Sequence, residues 1–90
     1  MATVRIPTQL RSLADGASEL TLDGATVGEL LQGLDAAHPG FGERLYDDAG
    51  KLRRFVNVFV DDEDIRFLQG VDTPLGEKAV VSIVPAVAGG

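Results

Sequence analysis

"VVSIVPAVAGG", residues 80–90, decides how the rest of the chain is read. Val81 and Ile83 alternate with Ser82 and Val84, the period of a strand with one face in a core. Pro85 then stiffens the chain and removes a ladder donor. Small apolar residues follow, Ala86, Val87 and Ala88, and then the pair Gly89-Gly90. Such an ending is either a fraying terminus or an arm whose terminal carboxylate is the working group. An isolated Gly-Gly reads as the former, so the elements in front of it decide.

Working back, "FVNVFV" (55–60) is a strand. Val56, Val58 and Val60 share the core face; Phe55, Asn57 and Phe59 face away. "DDED" (61–64) reads as an acidic turn and "IRF" (65–67) as a short return strand, before a loop over 68–78. At the other end, "TVRIP" (3–7) sets Val4 and Ile6 against Thr3 and Arg5, and "ELTLD" (19–23) sets Leu20 and Leu22 on one face. The turn signal Asp15-Gly16 between them predicts a hairpin. "TVGELLQGLDAAHPG" (26–40) changes period: Val27, Leu30, Leu31 and Leu34 fall at i, i+3, i+4 and i+7, one stripe of a helix. Thr26 and Glu29 have capping-box spacing, Pro39-Gly40 stops the helix, and His38 sits in the last turn. Gly28 and Gly33 each cost the helix about 1 kcal/mol relative to Ala. Residues 41–54 read as irregular, with Phe41, Leu45 and Tyr46 clustered beneath and Asp47, Asp48 and Gly50 marking a turn. One helix on one face of a mixed sheet is a two-layer α+β domain. The expected division is a domain over 1–85 and a flexible tail over 86–90.

Composition bounds the function. The chain has 90 residues, 44% hydrophobic and 24% charged, as in a single globular domain. Its zero cysteines exclude disulfides, thiolate metal sites and cysteine nucleophiles, and its single histidine leaves no histidine cluster for a metal. A net charge of −6 opposes nucleic acid and suits a basic protein surface. Arg5, Arg11, Asp15 and Glu19 break any signal-peptide pattern, and no apolar run approaches the roughly 20 residues of a membrane span. The expected location is therefore the cytoplasm, with no membrane partner.

The order of elements, ending in Gly-Gly, resembles the ubiquitin-like β-grasp fold, and more narrowly the MoaD/ThiS family of small sulfur carriers. "LRSL" (10–13), "TVGELLQGL" (26–34), "VFVDDEDI" (58–65) and "VVSIVPAVAGG" carry the match, which covers nearly the whole chain. "RFVNVFVDDEDIRF" and "VPAVAGG" are especially similar to the CysO-type carriers of actinobacterial cysteine biosynthesis. The chain departs from the family in having "GEK" (76–78) where Asp-Gly-Asp is frequent, and its 41–54 segment is longer than in the shortest members. The resemblance implies that a separate ubiquitin-activating-type adenylating enzyme uses ATP to adenylate Gly90. A sulfur donor protein then converts the adenylate to a thiocarboxylate. A sulfur-accepting synthase, a cysteine synthase by the closer resemblance, takes the sulfur, and a metalloprotease releases the product. It implies no cofactor bound by this chain.

Residues 86–90 suit threading into a partner's active site. Glycine needs no room for a Cβ, Ala86, Val87 and Ala88 are small, and the extended segment reaches about 17 Å at ~3.3–3.6 Å per residue. The resemblance also implies that Pro7, Phe59 and Val84 dock the partner. From the residues alone, Phe55 and Phe59 either tuck under the 41–54 segment or form a partner patch. "DDED" reads as a solvated turn rather than a cation site, and Arg44, Lys51, Arg53 and Arg54 as a solvated basic cluster. His38 reads as a helix-end residue. No nucleophile–base pair stands out, so the expected role is carrier rather than enzyme. Two other classes stay open: a protein modifier joined through Gly90 to lysines, and a β-grasp binding module with an idle tail. Molybdopterin, thiazole or a specialised metabolite are alternative products.

Overall fold

In the computed structural model, which describes residues 1–53 and 56–85, the strands are β1 (Ala2–Arg5), β2 (Glu19–Leu22), β3 (Val56–Val60), β4 (Glu63–Asp64) and β5 (Val80–Pro85). The helices are α1 (Val27–Ala37) and α2 (Phe41–Leu45). The strands form one five-stranded sheet in the order β2-β1-β5-β3-β4. β1 runs parallel to β5, with Val4 beside Val81, and every other pair is antiparallel. The first and last strands thus lie side by side in the middle of the sheet.

The alternating strands and the leucine stripe meet as their periods require. Leu30, Leu31, Leu34, Val56, Val58, Val81 and Ile83 are each no more than 4% exposed. Thr26 caps α1, its hydroxyl accepting the Glu29 N–H at 3.3 Å, while the Glu29 carboxylate accepts the Thr26 hydroxyl at 3.5 Å. The chain leaves the helix at His38, whose ring stands edge-on to Phe41.

Three local expectations are corrected. The hairpin β1–β2 exists and turns at Asp15-Gly16, both at positive φ. Its connection also holds a 3-10 helix, Thr8–Ala14, that buries Leu10 and Ala14. The 41–54 segment is not wholly irregular, because α2 occupies its start. Gly40 at φ 115° turns the chain, and Asp35 Oδ1 accepts the N–H groups of Gly40 and Gly42 at 3.3 and 2.8 Å. Phe41 and Leu45, one helical turn apart, are then fully buried. The return strand is Glu63–Asp64, not Ile65–Phe67. Asp61 and Asp62 both adopt positive φ, as a tight two-residue hairpin turn demands. Asp64 then caps a 3-10 turn by accepting the Arg66 N–H at 2.9 Å, which lets Ile65 bury.

The 68–78 loop is tied to α1. The Thr73 hydroxyl donates to Gly70 O at 2.7 Å and accepts the Gln69 N–H at 3.1 Å, and Thr73 O accepts the Val27 N–H at 3.1 Å. Among the described residues no helix is long and apolar enough to cross a membrane.

Candidate functional site

β5 is hydrogen-bonded on both sides, to β1 and β3, and its last residue, Pro85, stands opposite Val56. A chain leaving there departs from a fixed point in the middle of the sheet. The tail assigned from the sequence, Ala86, Val87, Ala88, Gly89 and Gly90, lies outside the described residues, as do Arg54 and Phe55.

The sheet face away from α1 can be read from the register. One row crosses the strands as Glu19, Arg5, Ser82, Phe59 and Asp64. The next row toward the tail pairs Val84 with Asn57. Phe59 and Val84 are therefore diagonal neighbours, within reach of one contacting side chain. Phe59 is half-buried and Val84 is 46% exposed. Pro7 is half-buried at the start of the 3-10 helix, two residues past the end of β1, rather than inside the strand.

The acidic turn does structural work. Asp61 Oδ1 accepts the Val80 N–H at 3.1 Å, tying the turn to the start of β5. Among the described residues no group of three or more His, Cys, Asp or Glu could hold a metal ion. In the 47–50 turn, Asp47 Oδ1 accepts the N–H groups of Lys51 and Ala49 at 3.0 and 2.9 Å. The Lys51 N–H, then the Ala49 N–H and the charges of Arg53 and Lys51, hold its carboxyl below the ordinary aspartate value against some desolvation. Burial pushes the Tyr46 phenol up. The Arg53 guanidinium donates twice to Glu43 O, at 3.3 and 3.2 Å.

Two features escape sequence reasoning. Phe67, taken for a strand residue, is 87% exposed on its 3-10 turn. Arg66 donates to Asn57 Oδ1 and lies 3.9 Å from Asp64, at the margin of the face that holds Val84. Only the shortness of β4 brings Arg66 there, and no periodicity signals it. The arrangement offers a rigid strand exit and an open sheet face, which suit docking to another protein.

Residues 4–90 match the ThiS family. Over 90 residues the chain is 46% identical to the sulfur carrier protein CysO of Mycobacterium tuberculosis (strain ATCC 25618 / H37Rv), covering 98% of this chain and 97% of that protein. It is 40% identical over 68 residues to small archaeal modifier protein 3 of Haloferax volcanii, covering 76% of this chain and 73% of that one. Among solved structures, it matches a chain of the Amycolatopsis orientalis BexX/CysO complex with TM-score 0.93 and 41% identity, over 100% of both chains. With these likenesses the mixed sheet on its helix is a ubiquitin-like β-grasp fold.

Proposed function

The chain belongs to the ThiS family, and on that premise we propose that it is a sulfur carrier loaded at the carboxylate of Gly90. The near full-length likeness to a sulfur carrier protein carries the reading. The central placement of β5 supports it, because a strand held on both edges fixes the point at which residue 85 hands over to the tail.

A carboxylate is a poor electrophile, so the chemistry divides into two steps. A Gly90 carboxylate oxygen attacks the α-phosphorus of ATP in a separate adenylating enzyme, and pyrophosphate leaves. Hydrosulfide supplied by the sulfur donor then attacks the carbonyl carbon and loses its proton, and AMP leaves with the bonding pair and one former carboxylate oxygen. The thiocarboxylate that remains donates its sulfur to an acceptor synthase, a cysteine synthase in the reading that the closer resemblance favours, with a metalloprotease releasing the product. Molybdopterin, thiazole or a specialised metabolite are the alternative destinations. In this scheme the chain binds no cofactor, ATP belongs to the activating enzyme, and the chain is substrate and carrier rather than enzyme. Phe59, Val84 and Pro7 dock the activating enzyme, and Ala86 to Gly89 thread its channel.

Conjugation through Gly90 to lysines of other proteins is a second reading. The likeness to an archaeal modifier protein favours it, and the same activated carboxylate serves both. The test is a Gly90 deletion and a variant with residues appended after Gly90. Both should lose ATP-dependent pyrophosphate release with the activating enzyme while keeping the melting temperature. A deletion variant that still acquires sulfur would refute the assignment of Gly90.

A further inference from the structure

The sequence as a whole is acidic, yet its charge is unevenly placed along β3. At one end of the strand stands the turn Asp61-Asp62-Glu63. At the other end, beside the point where β5 finishes, lies a groove of about 630 Å³. Tyr46, Leu52, Val56, Val58, Ile65 and Val71 give it apolar walls. Lys51, Arg53 and Arg66 also line it, and none of its described lining residues is acidic. Asp64 lies 3.9 Å from Arg66, Asp47 accepts the N–H groups of Lys51 and Ala49, and Glu43, Asp47 and Asp48 line the neighbouring pocket that shares Arg53, outside this groove.

Distance decides which charges a docked partner feels. Val56 to Val60 spans about 14 Å at ~3.4 Å per residue. That exceeds the Debye length of ~8 Å at physiological salt, so the acidic turn is largely screened at the tail-exit end. A partner that receives the tail meets the cations there, although the net charge is −6.

We propose that this groove is a second contact for the enzyme that receives the tail, and that it takes an apolar segment of that enzyme flanked by carboxylates. The location carries the choice of occupant: Pro85 pairs with Val56, which lines the groove, so an enzyme engaged with residues 86–90 has its entrance beside it. The cationic rim sets the complementary charge. A second copy is disfavoured, because two chains of net charge −6 repel one another over the rest of their surfaces. The inference rests on the sulfur-carrier reading and reverses, at this end, the basic partner surface that composition implies.

The test uses the full chain and the ubiquitin-activating-type enzyme encoded in the same genome, with affinity measured across a salt series. Lys51→Glu combined with Arg66→Glu should weaken binding about tenfold at low salt and flatten the salt dependence, as expected for rim charges. Lys51→Glu alone, at an exposed position, should show part of the same loss with an unchanged melting temperature. Asp61→Asn with Asp62→Asn, which keeps the Asp61 side-chain acceptor, should stay within about twofold of the parent. Charge-reversed variants that bind as tightly as the parent, or more tightly, overturn the proposal. Phe59→Ala run in parallel separates the two levels. If it weakens binding and the reversals do not, the groove assignment alone fails. If neither Phe59→Ala nor Gly90 deletion has an effect, the docking reading fails and takes the groove assignment with it.

Discussion

Phe59 and Val58 are chain neighbours that face opposite sides of one strand, and their alanine variants should fail in opposite ways. Fully burying a phenylalanine makes its truncation cost about 3–5 kcal/mol. Phe59 is only half-buried, opposite Ser82 and Asp64 on the open face, so roughly 1.5–2.5 kcal/mol is expected. At about 4–8 °C per kcal/mol for a domain of this size, Phe59→Ala should melt about 6–20 °C lower and remain folded at room temperature. Loss of an aromatic anchor typically costs ~2 kcal/mol of binding, about 30-fold in Kd for the activating enzyme. Val58 is 1% exposed on the core face. Val58→Ala loses about 1.6 kcal/mol of transfer energy at ~0.8 per methylene-sized group, plus a cavity term, and should bind the enzyme normally while folded. Thermal melts and titration calorimetry on both variants read the two effects separately. Unchanged affinity for Phe59→Ala would remove it from the docking face, and complete unfolding would mean its ring belongs to the core.

Leu31→Ala should cost about 2–5 kcal/mol in a urea melt, since Leu31 is fully buried in the stripe of α1; a loss within error would contradict that packing. Two glycine substitutions should have opposite signs. A Cβ at Gly33 meets only Asp23 O at 3.8 Å, so Gly33→Ala should stabilise by up to about 1 kcal/mol. A Cβ at Gly24 falls 2.7 Å from the backbone nitrogen of Leu30, so Gly24→Ala should destabilise by about 1–3 kcal/mol. Asp47 has a lowered folded pKa, so its contribution is present above the unfolded value near 4 and lost as pH falls through the folded value. The stability difference between the parent and Asp47→Asn should therefore shrink below about pH 4, and a difference that persists into strong acid would contradict the assignment.

The parts of the fold legible in the sequence are those governed by a repeating period. Leu30, Leu31 and Leu34 recur at helical spacing and Val56, Val58 and Val60 at strand spacing, and all six are buried. α2 was not legible because it is only five residues long and depends on Asp35, outside it, to satisfy its first N–H groups. "IRF" carries strand-forming residue types, but the two-residue turn at Asp61-Asp62 leaves Glu63–Asp64 to make the pairing. The outward parity of Phe59 and Val84 followed from alternation alone. The groove did not, because its walls come from segments far apart in sequence, such as Tyr46 and Val71, brought together by the turn after β4.

The central claim is that sulfur is carried on Gly90, and the absence of cysteine makes it directly measurable. The chain isolated from its native cells, or incubated with its activating enzyme, ATP and sulfide, is treated with iodoacetamide, digested and analysed by mass spectrometry. With zero cysteines in the chain, a thiocarboxylate is the sulfur nucleophile the reagent is designed to find. One added carbamidomethyl group is expected, confined to the peptide ending in Gly90 and dependent on ATP in the reconstituted reaction. A Gly90 carboxylate that stays unlabelled with the enzyme, ATP and sulfide all present would contradict it.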